Sequence, residues 1–150
     1  MRKFIEVGTN YINLRNVTSI KFETNRVIFN YNSEISIVDG MISPDYTYVE
    51  IDALERKELK ETLKSEGFIT FELSDNSNIY VNLDNVTFIK EYIRLGHNPK
   101  FRLIFNMNVG ATLKDSYKIT SSAVYYDFST EEDLIRSSNE LSILIKNKGE

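Results

Sequence analysis

Cysteine and tryptophan are absent from this 150-residue chain, histidine occurs once and proline twice. Without a thiol there is no disulfide framework, no thiolate metal site and no cysteine nucleophile. The lone His97 has no histidine partner and no HExxH motif is present, so the sequence offers no zinc site. Neither a GxGxxG stretch nor a Walker loop occurs. Acidic residues are scattered singly or fall in helix first turns, as Glu131-Glu132-Asp133 do, where they complement the helix dipole. The expectation is a protein that is not an enzyme, with no catalytic residue, no metal and no cofactor.

Long apolar runs are missing too, so nothing in the sequence reads as a membrane span. The N-terminal Met-Arg-Lys-Phe-Ile-Glu loses its apolar character at Glu6, short of a signal-peptide core, and a cytoplasmic location is expected. Positive charge is not in excess either: 18 basic against 22 acidic residues give a net charge of −4. That departs from the basic balance of proteins whose main task is gripping nucleic-acid backbone. From Phe68 to Ser129, however, six acids face six bases, which leaves room for a local basic surface.

What is present is a duplication. Tyr11-Ile12-Asn13-Leu14-Arg15-Asn16-Val17-Thr18-Ser19-Ile20-Lys21-Phe22 recurs 69 residues later as Tyr80-Val81-Asn82-Leu83-Asp84-Asn85-Val86-Thr87-Phe88-Ile89-Lys90-Glu91, with eight of twelve positions identical. Arg26 to Asn32 recurs as Arg102 to Asn108 with five of seven identical, now offset by 76, so the second hairpin is seven residues longer. Strands are expected at Phe4–Val7, Tyr11–Phe22, Arg26–Tyr31 and Glu34–Val38, with a local turn or bulge at Arg15-Asn16 where the period-two alternation breaks. Asp52 with Glu55 reads as a capping box opening a helix whose apolar positions are Leu54, Leu59 and Leu63, stopped at Gly67. The order then restarts at Phe68, with a strand over Ala111–Ile119 and Ser129 with Glu132 as a second box. A terminal helix follows, carrying Leu134, Ile135, Leu141, Leu144 and Ile145. The fold expected is α+β, an internal duplication of a ββββα unit with mainly antiparallel sheets and two helices on a shared core. It forms a single domain, 1–150, of two repeats at about 1–67 and 68–150.

Comparing the copies isolates a surface. The alternating positions assigned to the core, Ile12, Leu14, Val27, Phe29 and Tyr31, have counterparts Val81, Leu83, Leu103, Phe105 and Met107, a conservative drift at three of five. The opposite positions, Tyr11, Asn13, Arg26, Ile28, Asn30 and Asn32, are all retained as Tyr80, Asn82, Arg102, Ile104, Asn106 and Asn108. Such residues stabilise sheets as cross-strand ladders or pack where the halves meet. They also suit a binding platform, since aromatic faces stack on bases, amides read base edges and arginine pairs with phosphate. The enlarged hairpin adds Lys90, Tyr92, Arg94, His97, Lys100 and Phe101, basic and aromatic residues interleaved along a projecting ribbon; its tip also reads as plain turn chemistry.

Two tandem units of four strands and a helix resemble, in layout, the PUR-repeat and whirly type of single-stranded nucleic-acid-binding fold. The resemblance implies single-stranded DNA or RNA bound across the sheets, often by an oligomer. No functional residue is carried over from it, because the whirly lysine-rich motif has no counterpart here. The function expected is thus a binding protein for single-stranded nucleic acid. The alternative is a protein-interaction or oligomerisation module with a protein partner or a second copy of itself.

Overall fold

The computed structural model describes residues 4–38, 41–72, 78–108, 111–112, 118–119 and 122–148, the side chains of 33–38, 41–45, 111–112, 118–119, 122 and 148 excepted. Strands β1 (Phe4–Val7) and β2 (Asn10–Asn13) are followed by a 3-10 turn at Leu14–Asn16. β3 (Val17–Phe22), β4 (Arg26–Val38), β5 (Met41–Glu50) and helix α1 (Ala53–Ser65) complete the first half. The second half has β6 (Phe68–Ile69), β7 (Ile79–Asn82) and a 3-10 turn at Leu83–Asn85. It continues with β8 (Val86–Arg94), β9 (Lys100–Met107), β10 (Ala111–Thr112), β11 (Lys118–Ile119), β12 (Ser122–Phe128) and α2 (Glu131–Lys148). The architecture is α+β, and every strand pairing is antiparallel.

Several boundaries differ from the sequence expectation. The phase break at Arg15-Asn16, expected as a turn or a bulge, is a 3-10 turn. It begins where Asn13 accepts the Arg15 N–H on its side chain, and Asn82 does the same for Asp84. The two strands expected before and after Asn32 are one strand, β4, with a register shift between Asn30 and Ile35. Only the ends of the strand expected at Ala111–Ile119 are described, as the β10–β11 pair; 113–117 lie outside the described residues. α1 has the full Asp52–Glu55 box, and Gly67 follows it at φ 88°, a left-handed conformation open to glycine. α2 is capped one residue later than expected, by Thr130, whose hydroxyl accepts the Asp133 N–H at 3.1 Å. Ser129 and Thr130 have the same capping chemistry, which sequence alone does not separate.

The strands form a five-stranded sheet, β5-β4-β3-β7-β6, and a three-stranded sheet, β12-β9-β8, with the β1–β2 and β10–β11 hairpins apart. The larger sheet joins the halves, because β3 pairs with β7 at Ser19–Val81, Ile20–Tyr80 and Lys21–Ile79. In place of one shared core there are two. In the first, Ile20, Phe22, Val27, Phe29 and Val49 pack with Leu59 and Leu63 of α1. In the second, Leu103, Phe105, Met107, Tyr126 and Phe128 pack with Leu134 and Leu141 of α2. β7 serves both, sending Tyr80 into the first and Val81 into the second. A strand covered on both faces carries no period-two signal.

The seam is polar. Asn82, fully buried, donates to the Leu14 carbonyl (3.2 Å) and the Val17 carbonyl (2.9 Å). Asn85 donates to the Arg15 carbonyl (2.9 Å) and again to Val17 (2.8 Å), and accepts from Asn32 (3.4 Å). The Leu14 carbonyl already accepts the Val17 N–H within the 3-10 turn, and the two amides add side-chain donors to it and to the Arg15 and Val17 carbonyls. The relation is one-sided: among the described residues Asn13 makes only its hydrogen bond to Arg15.

Asn82→Ala is therefore expected to cost about 2–4 kcal/mol, since it removes two buried side-chain hydrogen bonds and the cap on the Asp84 N–H. The equivalent Asn13→Ala should cost about 0.5–1 kcal/mol. Urea unfolding of both variants checks this, and equal losses would contradict the one-sided clamp. The buried Tyr126 hydroxyl, which donates to the Ile79 carbonyl, is raised well above the ordinary tyrosine value of 10.0 by desolvation. Above pH ~10 the unfolded chain thus binds fewer protons than the native one, and stability falls as pH rises. Tyr126→Phe should flatten that alkaline slope in unfolding experiments between pH 8 and 11.

Candidate nucleic-acid interface

With α1 and α2 on the core faces, exposed side chains occupy the opposite face of the smaller sheet and, over β4 and β5, that of the larger sheet. On the smaller sheet, strand parity puts Phe88, Lys90, Tyr92 and Arg94 of β8 on that outer face. Beside them lie Lys100, Arg102, Ile104 and Asn106 of β9, then Ala123, Tyr125 and Asp127 of β12. Phe88 and Tyr125 are about half exposed. Arg102 sits at the centre, opposite both Tyr92 and Asp127. It makes a bidentate pair with Asp127 (2.6 and 3.0 Å), and its guanidinium carbon lies 3.9 Å from the Tyr125 ring centroid. Hydrogen bonding to Asp127 raises the Arg102 pKa still further, so the group is a fixed cation. Its charge is compensated locally, whereas Lys90 and Lys100 are exposed beside it and have no ion pair among the described residues.

The larger sheet repeats the arrangement. Lys21 of β3, Arg26, Ile28 and Asn30 of β4, and Tyr46, Tyr48 and Glu50 of β5 share its outer face. Arg26 lies 5.1 Å from the Tyr48 centroid and pairs with Glu23 at 2.7 Å. That hydrogen bond holds the Glu23 carboxyl below its usual pKa. Asn30 donates to Ser19 at 3.2 Å. Tyr48 faces Ile28 across the ladder as Tyr125 faces Ile104, so each sheet presents an arginine stacked on a tyrosine beside an isoleucine and an asparagine.

The residues singled out from the sequence divide among several places. Arg26 and Asn30 lie on one outer face; Tyr92, Arg94, Lys100, Arg102 and Asn106 lie on the other. Tyr80 and Asn82 do not belong to a surface, being 4% and 0% exposed within the seam. Tyr11 is 71% exposed on β2, opposite Glu6, away from both platforms. Asn13 caps its turn. Phe101 has the opposite parity to Arg102 and packs on the second core, so it too leaves the platform. His97 is at the exposed hairpin tip, which Arg94 ties back by donating twice to the Asn98 carbonyl (3.1 and 2.9 Å).

Sequence reading missed Phe88, Tyr46, Tyr48 and Tyr125. For Phe88 a signal existed: an aromatic replaces Ser19 within an otherwise retained motif. Tyr48 and Tyr125 were hidden because the ladder partner of Arg26 and Arg102 depends on register, which periodicity does not supply.

Among the described residues no group of three or more His, Cys, Asp or Glu is placed to hold a metal ion, and no helix is long and apolar enough to cross a membrane. Comparison with protein-family models, curated proteins and solved structures finds no match to the chain.

Proposed function

We propose that the chain is a non-catalytic, cytoplasmic single-stranded nucleic-acid-binding protein built from two copies of one ββββα unit, in the manner of the PUR-repeat and whirly folds. The observation that carries this reading is the outer face of β8, β9 and β12. There Phe88, Tyr92 and Tyr125 alternate with Lys90, Lys100 and Arg102 on one open sheet. Unstacked bases bind such aromatic platforms with little regard to sequence, while the lysines follow the phosphates. Arg102 is already neutralised by Asp127, so its part is to hold the Tyr125 ring flat as a stacking surface. The Arg26–Tyr48 pair offers an equivalent, smaller platform.

Fluorescence anisotropy with labelled single-stranded DNA and RNA across a salt series tests this. Affinity should fall steeply with salt. Phe88→Ala or Tyr125→Ala should each weaken it about 5- to 150-fold, the equivalent of about 1–3 kcal/mol per stacked base. The Arg26→Ala/Arg102→Ala double variant should weaken it as well, while Tyr11→Ala should leave it unchanged. Absence of binding at low salt removes the reading.

A second reading, a self-association or protein-interaction module, draws on α2. Of its expected apolar stripe only Leu134 and Leu141 are buried; Ile135, Leu144 and Ile145 are 44–48% exposed, and Ile143 beside them is 61% exposed. Light scattering across a concentration series separates the two. Self-association should be abolished by Ile143→Lys, and a persistent monomer removes that role.

A further inference from the structure

Helix α1 has flanks of opposite charge. Glu55 and Glu58, with Glu6, border a cavity beside β1. Arg56, Lys57, Lys60 and Lys64 line a different cavity of about 370 Å³, with Tyr80 and Glu61 in its wall. Residues 56, 60 and 64 are successive i, i+4 positions and 57 lies beside them, so four cations fall on one stripe. Like charges at that spacing oppose helix formation. No ion pair of these four is found among the described residues.

Two of the cations are fixed in place. Arg56 donates to the Glu23 and Thr24 carbonyls and lies 5.7 Å from the Phe22 ring centroid. The Lys60 ammonium is 5.1 Å from the same ring and 3.4 Å from the Asn78 side-chain oxygen. Burial, reinforced by Arg56 and Lys64, lowers the Lys60 pKa, a strain that an anion would relieve. Burial also keeps the Tyr80 hydroxyl protonated, so it brings no negative charge. Four cations against the single carboxylate of Glu61 leave an excess of positive charge around a cavity of ligand size, which suits a phosphate group.

We propose that this cavity binds a small phosphorylated molecule of about mononucleotide size, its phosphate held by Lys57, Lys60 and Lys64 and its organic part lying against Tyr80. The site is separate from the sheet platforms. α1 packs through Leu59 and Leu63 on the core face of the five-stranded sheet, opposite the Arg26–Tyr48 face.

Calorimetric titration of the full chain at low salt with adenosine monophosphate, pyrophosphate, adenosine and a single-stranded oligonucleotide provides the test. Adenosine monophosphate and pyrophosphate should bind and adenosine should not. Binding should weaken at least tenfold in K60Q/K64Q and also in K57Q/K64Q, whose substitutions are both on the exposed helix surface and spare the Lys60 contacts. The R26A/R102A variant should bind both phosphates as the unmodified chain does, which keeps this outcome distinct from the fate of the sheet platforms. No binding of either phosphate at millimolar concentration, or binding unchanged in both lysine variants, overturns the proposal. So does binding confined to the oligonucleotide and lost in K60Q/K64Q, which would make the stripe part of a nucleic-acid track.

Discussion

Two carboxamides hold the molecule in its arrangement. Asn82 and Asn85 donate four hydrogen bonds into the carbonyls of the Leu14–Asn16 turn and Val17, and Asn32 closes the set from β4. Buried amides must be satisfied or they cost more than they contribute, so the clamp admits one relative placement of the two turns. That placement sets β7 alongside β3, and β7 in turn determines which side chains enter which core. The outer faces of both sheets are what remains once those cores are filled.

The second half of the chain thus contributes β7 and β6 to the sheet of the first, and no strand of the first half pairs into the β12-β9-β8 sheet. Ser19 is buried where β7 adjoins β3, whereas Phe88, at the matching position of β8, is half exposed because β8 pairs with β9 alone. The same contrast separates buried Tyr80 from exposed Tyr11. Near-identical residues acquire different roles through position alone. Copy-to-copy identity in this chain reports structural demand at the seam as well as any demand at the surface.

Much of this was legible beforehand where one physical signal acted alone. Val27, Phe29, Leu103 and Phe105 alternate cleanly because their strands have one covered face, and all four are fully buried. The α1 capping box was readable because its chemistry is local and spans four residues. Tyr80 and Asn82 misled because their strand is covered on both sides, a property of the sheet order rather than of the strand. Phe101 misled because aromatic content along a hairpin does not reveal which of its faces turns inward. The exposed apolar residues of α2 reflect the same limit, since a helical stripe states what can be buried and not how far the sheet beneath it extends. The platforms needed register, and their clearest members, Tyr48 and Tyr125, became visible only once each strand's neighbour was known.

Charge is unevenly arranged in this acidic chain. Arg26 and Arg102 are each tied to a carboxylate, Glu23 and Asp127, so they stiffen the aromatic surface without adding net charge. Cations without an ion pair among the described residues lie instead at β8 and β9, as Lys90, Arg94 and Lys100, and along one flank of α1. Excess acid is carried where it is cheap, in the first turn of α2 and on the other flank of α1.

The two-sided burial of β7 also dictates an order of events during synthesis. β3 emerges from the ribosome long before its partner, since Ser19 must wait for Val81. Until then the first unit has an open strand edge, and Phe22 lacks the Tyr80 ring that meets it edge-on at 5.3 Å. Such distant pairings are slow to close and leave nascent chains prone to association. Arg56 and Lys60, both lying over the Phe22 ring from a helix that is made before β7, give that interval a charged cover.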